Sequence, residues 1–211
     1  MMELAIKAGA LIRTNTDGTV SAEMLNRPEH WEQIPNLNAL RLLLTEQPFI
    51  PKGDMDDFGR GSIAVRYAML AALLTAADHG GNISTDTGIT GWNGRGCTKE
   101  NLRYWQDYTG NDKIAGRGGL FVATLPTIPY CEAAITLGCH GASAYFHTEA
   151  DTAQLFALLS DRAGEHFIAG EITEDSACML LLSKGKNHTQ ISAGLPSLEA
   201  LFHALKKDLP K

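Results

Sequence analysis

The hydrophobic pattern begins with LAIKAGALI (4–12), a short apolar run that contains glycine and predicts a first buried strand. Residues 13–57 are less regular, with turn chemistry at Asn15-Thr16-Asp17-Gly18 and prolines at 28, 35, 48 and 51. LNALRLLL (37–44) predicts one short helix inside this stretch, which is expected to be a surface-hugging insertion and not a separate domain. SIAVRYAMLAALLTAADHGG (62–81) is apolar on nearly every face and closes on a glycine pair after His79, which predicts a helix buried in the centre of a domain. His79 then reads as a cation at the C-terminal end of the helix dipole. TGITGW (87–92) predicts a strand, and a helix is expected over 98–108. LFVATLPTIPYCEAAITLG (120–138) predicts an extended lead-in, a proline-interrupted turn and a helix ending at Gly138. SAYFHT (143–148) reads as a strand and EADTAQLFALLSDRA (149–163) as a helix. HFIAGEIT (166–173) and ACMLLLS (177–183) read as two strands, and the tail (197–211) holds a short helix with Lys206 and Lys207 in its last turn.

Strands joined through helices must run parallel, because a crossover needs a dozen or more residues, whereas the tight Glu174-Asp175 turn forces its two strands antiparallel. The expected architecture is an α/β domain: a five-stranded, mostly parallel sheet, its last strand antiparallel, with helices on both faces. A single domain is expected over 1–211, its core at about 1–185 and a C-terminal extension at 186–211.

Composition narrows the function classes. Charged residues make up 20% of the chain and the net charge is −6 with no basic run, which argues against a nucleic-acid surface and is unfavourable for direct docking of an acidic carrier protein. Four cysteines (Cys97, Cys131, Cys139, Cys178) form no CxxC pair, so zinc-ribbon and thioredoxin readings fail on spacing, and buried free thiols are expected. The N-terminus, with Glu3 inside its apolar run, is a poor signal peptide, and no stretch reaches the ~18 apolar residues of a membrane span. Cytoplasmic placement is the resulting expectation.

GITGWNGRG (88–96) is glycine-rich but does not match the dinucleotide fingerprint G-x-G-x-x-G, and it lacks the Gly-Lys-Ser/Thr of a P-loop, so it reads as a tightly turned loop. The seven histidines form no H-x-x-x-H or H-x-H pair; no metal or cofactor is expected. No G-x-S-x-G elbow exists, and Asp56-Asp57 reads as a solvated pair. The strongest signal is LGCHGASAYFHTEADT (137–152), a strand that runs through a short turn into a helix. Thr148 and Asp151 form a T-x-x-D pair close to the capping-box pattern, with Glu149 and Asp151 in the expected first turn. A cysteine at such a helix start would gain acidity from the dipole, but Ala150 offers no nucleophile and its acidic neighbours would raise a thiol pKa. His147 lies at the C-terminal edge of the strand, where α/β proteins place ligands; a structural imidazole and a ligand-contacting one are both open.

This segment resembles the β-ketoacyl-carrier-protein synthases. In that family a Leu-Gly-x-x-Gly turn introduces the strand before the nucleophile, which continues to Thr-Ala-Cys and a small-residue helix. Here Leu137-Gly138-Cys139-His140-Gly141 matches the turn, and Thr148-Glu149-Ala150 falls where Thr-Ala-Cys should be. The helix at 62–78 resembles the family's Ala-rich first helix, TGITGW its second strand, HFIAGEI and SACMLLL its last two strands. The resemblance covers about 1–185 and implies a thiolase-like half-domain. It also implies a role as a non-catalytic, chain-length-factor-like partner of a full-length ketosynthase in type II polyketide, aryl polyene or fatty-acyl synthesis. The nucleophilic cysteine is absent, and the half-domain that carries the family's decarboxylating histidines does not follow in this sequence. No catalytic residue is therefore assigned, and Thr148, Glu149 and His147 stand as nearby candidates. The implied partners are a ketosynthase and an acyl carrier protein, in a hetero- or homodimer with 120–135 and 143–148 facing the partner. Two alternatives stay open: a stand-alone acyl- or carrier-protein-binding protein, and a remodelled thioester-acting enzyme of the acyltransferase class using Glu149 and His147. A half-domain without its mate should also leave an apolar face.

Overall fold

The computed structural model describes residues 4–92, 97–110, 112–114, 116–147, 151–185 and 194–208. Seven strands form one sheet in the order β3-β2-β1-β7-β6-β4-β5. They are β1 (Leu4–Thr14), β2 (Val20–Met24), β3 (His30–Ile34), β4 (Gly88–Trp92), β5 (Ala144–Phe146), β6 (His166–Ile172) and β7 (Ser176–Lys184). The five strands expected from the sequence are β1, β4, β5, β6 and β7. β4 pairs in parallel with both β5 and β6, and β7 runs antiparallel to both β6 and β1. Four of the five thus point one way and the last is reversed, as the connections demand.

The other two strands come from the stretch read as a surface insertion. β2 and β3 continue the sheet outward from β1 in antiparallel pairing. α1 (Leu37–Thr45), capped by the Asn36 side chain on the Ala39 amide, buries Leu37, Leu40 and Leu44 in the core. The stretch is therefore an extension of the sheet and its helical layer. Alternation in VSAEM, where Val20, Ala22 and Met24 are buried, drives it.

β7 is central, and all its residues but Lys184 are buried. Ala177, Met179 and Leu181 enter one core cluster, Cys178, Leu180 and Leu182 the other, so an unbroken apolar run is what a strand covered on both faces requires. One face carries α1, α2 (Ile63–Asp78) and α5 (Ile128–Leu137); the other carries α6 (Thr152–Ser160) and α7 (Leu198–Asp208). α2 starts on the Ser62 hydroxyl, which accepts from the Val65 amide, and stops at His79, where Gly80 and Gly81 adopt positive φ and the Gly81 amide returns to the Ala76 carbonyl. Asp78, buried at that end, accepts from the Gly9 and Asn26 amides and from Asn26 Nδ2, tying α2 to the bulge in β1. α7 is built into the second layer: Leu198, Leu201 and Phe202 are buried there beside Leu155 and Leu159 of α6.

α3 (Thr98–Gly110) follows β4 as expected. The expected extended lead-in at 120 is instead a short helix, α4 (Gly118–Val122), because Gly119 and Phe121 carbonyls accept local amides and turn the chain before Pro126 and Pro129. Among the described residues each face of the sheet carries an apolar layer, so the bare face expected of a half-domain is not seen there. Of the ten exposed large apolar side chains among the described residues, five lie on α3, α4 and the turn beyond (Leu102, Trp105, Phe121, Val122 and Leu125, 41% to 56% exposed); the others are Leu42, Ile63, Ile114, Ile135 and Leu158. Among the described residues no helix is long and apolar enough to cross a membrane.

Candidate functional site

The site region is assembled by glycines where backbones cross. α5 ends at Gly138, left-handed at φ 65°, and the Cys139 amide returns to the Ala134 carbonyl. The chain then clips onto the segment before β4: the His140 amide donates to the Thr85 carbonyl at 2.6 Å, and a side chain at Gly141 would collide with the Asp86 and Thr87 backbone. That clip fixes the register of β5, with Thr90 opposite Ala144 and Trp92 opposite Phe146. The Leu-Gly-x-x-Gly pattern is thus a chain-crossing device.

β5 is a three-residue edge strand of intermediate burial, shorter than the 143–148 expected, and His147 at its end is exposed. Thr148, Glu149 and Ala150 lie outside the described residues. The helix beyond opens later than expected. Asp151 is its N-cap in extended conformation, its Oδ1 accepting from the Gln154 amide at 3.0 Å, and Thr152 is the first helical residue. The cap is therefore Asp151 acting on Gln154; Thr148, the other half of the T-x-x-D pair, lies outside the described residues. Glu149, expected in the first turn, precedes that cap.

Beneath the site a second sequence feature is explained. Gly91 and Gly170 are directly paired on β4 and β6, and a side chain at either would meet the ring of Tyr130, which α5 lays into the slot. Burial pushes the Tyr130 hydroxyl well above its ordinary value. On the opposite face of β4, Trp92 Nε1 and Thr90 Oγ1 are buried without a hydrogen-bond partner.

The chemistry on offer among the described side chains is limited. Burial pushes the Cys97 thiol up to about 11, with Glu100 adding to it, and the Cys139 thiol up to about 11. Burial also raises Cys131, and raises Cys178 well above the ordinary range. A nucleophilic cysteine needs the reverse shift, so none of the four is an activated thiol. No described group of three His, Cys, Asp or Glu side chains could hold a metal ion. A cavity of about 340 Å³ lies at the far edge of the sheet, between β1–β3 and the end of α7, lined among others by Arg13, Glu23, His30, Trp31 and Lys206. Its cations are already engaged, Arg13 with Glu199 and Lys206 with Glu23. Sequence reasoning missed this cavity and the residues 194–198 that lie against the start of α6, because both depend on contacts far apart in the chain.

No protein-family profile matches the sequence, and no curated protein matches it. Solved structures do. A chain of the ketosynthase ApeO in complex with its chain length factor ApeC, from Xenorhabdus doucetiae, superposes with a TM-score of 0.62 at 13% identity, over 99% of this chain and 93% of that one. A β-ketoacyl synthase from Burkholderia phymatum STM815 gives a TM-score of 0.56 at 10% identity over 88% of this chain. The ishigamide ketosynthase/chain length factor gives 0.52 at 9% identity over 92%. This chain spans only 60% and 64% of the length of the latter two. The thiolase-like α/β fold found in ketosynthase–chain-length-factor complexes and in a β-ketoacyl synthase is the fold of this chain.

Proposed function

We propose that this chain is a non-catalytic, chain-length-factor-like subunit that pairs with an active ketosynthase and shapes the space in which an acyl or polyene chain grows on a carrier protein. The observation that carries the reading is the end-to-end correspondence with a chain of a ketosynthase–chain-length-factor complex, 99% of one and 93% of the other. Three features support it. Ala150 stands where the synthases carry cysteine, and a Claisen condensation needs a thiolate to hold the acyl group. The four cysteines present are pushed away from the thiolate form. The α3–α4 unit displays Leu102, Trp105 and Phe121 in a surface rich in aromatics, with Tyr104 against Phe121 at 5.7 Å and Trp105 against Tyr108 at 6.2 Å. Half-exposed aromatic anchors of this kind are what a protein partner buries. We assign this surface, together with the open edge at β5, to the ketosynthase contact.

The test is co-expression with ketosynthases of the same genome. A stable complex in size-exclusion chromatography, and a shift in product length when this chain is omitted, are expected. A chain that stays free of every ketosynthase, with unchanged products, would overturn the reading.

A further inference from the structure

α1 and the start of α2 share one aromatic ring. Arg41 of α1 and Arg66 of α2 hold their guanidiniums 5.1 and 5.7 Å from the centroid of the buried Phe58 ring. Arg66 is fixed further by neutral groups: its Nη2 donates to the Gly59 carbonyl at 2.9 Å and its Nε to the Gly61 carbonyl at 3.2 Å. Among the described residues neither arginine lies within ion-pair distance of a carboxylate, whereas Arg60, in the loop between the two helices, is engaged by Asp57. Each of the two cations also has an exposed apolar neighbour. Leu42 follows Arg41, and Ile63 stands one helical turn before Arg66; both are 58% exposed.

A guanidinium that lies on a ring and donates to carbonyls keeps its whole charge and has little side-chain freedom left to lose on binding. Two such cations, set beside apolar side chains, call for a surface that offers carboxylates and apolar groups together. An acidic amphipathic helix of a protein is such a surface, whereas a small anion would leave Leu42 and Ile63 in water. We propose that Arg41, Leu42, Ile63 and Arg66 form a docking patch for the acidic face of a carrier protein. The net charge of −6, unfavourable to that partner at a distance, is screened beyond about 8 Å in physiological salt, so the local cations decide at contact. That the acidic partner is a carrier protein rests on the function proposed above; the patch uses none of the α3–α4 residues assigned to the ketosynthase.

The test is a nuclear magnetic resonance titration of the isotope-labelled full chain with a phosphopantetheinylated carrier protein of the same genome, in the absence of ketosynthase. Amide signals at 41–42 and 59–66 should move while those of α3 stay in place. Arg41→Glu should weaken binding about tenfold, with Arg41→Lys retaining most of it, and raising salt from about 0.05 to about 0.5 M should weaken the native chain's binding by a similar factor. Shifts confined to other parts of the chain, no shifts at all, or binding indifferent to salt overturn the patch. So does a folded Arg41→Glu chain that binds as tightly as the native one; the native-chain shifts and their salt dependence decide even if that variant does not fold. Carrier binding at the patch in a chain that pairs with no ketosynthase would sink the subunit role and leave the patch standing. Ketosynthase pairing without carrier binding would do the reverse.

Discussion

The two longest helices of the first half of the fold treat their side chains in opposite ways. α2, of 16 residues, buries 13 of them in the chain's own core; α3, of 13 residues, buries none. α2 is apolar on every face because β1, β7, α5 and α1 surround it. α3 is amphipathic, yet Tyr104 meets the rings of Tyr108 and of Phe121 on α4, and Leu102 and Trp105 face outward. A helix of this length is marginal in water without a packed face. The difference separates a region that the chain completes by itself from one that leaves its apolar side chains exposed.

The comparison breaks most visibly where packing is tightest. Gly91→Val would drive a branched side chain into the Tyr130 ring, with Gly170 closing the other side of the slot. Overpacking of this severity should cost about 3 kcal/mol or more, read as a lower urea midpoint or as failure to fold. Shrinking the ring with Tyr130→Leu in the same chain should restore part of that loss. A Gly91→Val chain as stable as the native one would mean that the slot is not part of the core.

Trp105→Asp probes the other side. In the isolated chain it should change stability by no more than about 0.5 kcal/mol, as surface substitutions do. In the complex with a ketosynthase it should weaken binding by about 2 kcal/mol, or roughly thirtyfold, as loss of an aromatic anchor does; titration calorimetry reads both partners' behaviour. If it destabilises the free chain instead, α3 belongs to the chain's own core and the contrast with α2 fails.

Asp78 sharpens the comparison at α2's end. Asp78→Ala leaves the Gly9 and Asn26 amides without their acceptor and should cost about 1–2 kcal/mol. Burial raises the Asp78 carboxyl above its ordinary value, against the opposing pull of the Gly9 and Asn26 amides. The folded chain therefore keeps this proton to higher pH than the unfolded chain does. Between the ordinary carboxylate value and the raised one the folded state binds more protons, so this group makes stability fall as pH rises through that window. Urea midpoints measured across the weakly acidic range should show that slope, and Asp78→Ala should flatten it. Glu171, raised by burial in the same direction, leaves a residual slope.

The elements that the sequence discloses are those whose pattern is local and undiluted. α2 and β7 are continuous apolar runs, and the β6–β7 turn leaves no room for a crossover. β2 and β3 escape notice because VSAEM and HWEQI are short, and HWEQI shows mostly exposed or half-exposed residues between prolines. The start of α6 is misplaced because T-x-x-D and the overlapping Asp151-x-x-Gln154 are both local cap patterns, and the local pattern ranks neither above the other. At the site, the glycine turn at 138–141 is legible in the sequence, while Thr148, Glu149 and Ala150 lie outside the described residues. The contact of Gly194 and Leu195 with the start of α6 is not legible, since nothing near Gly194 in sequence announces Asp151 and Thr152 as neighbours.

The mildest expectation concerns how α3 is moored. Lys99 Nζ meets Glu174 Oε2 at 3.1 Å, joining the first turn of α3 to the turn between β6 and β7, with both side chains about two-thirds exposed. An ion pair this open exchanges most of its Coulomb energy for water and side-chain freedom, so Lys99→Ala should lower stability by about 0.5 kcal/mol or less, vanishing at high salt. The informative quantity is where the loss falls. If α3 is held mainly by a partner, Lys99→Ala should speed hydrogen exchange within 98–110 of the free chain and leave β7 unchanged. Addition of the ketosynthase should then erase the difference, because buried aromatic contact outweighs a solvated ion pair. A loss shared by α2 and β7 would instead tie α3 to the cooperative core.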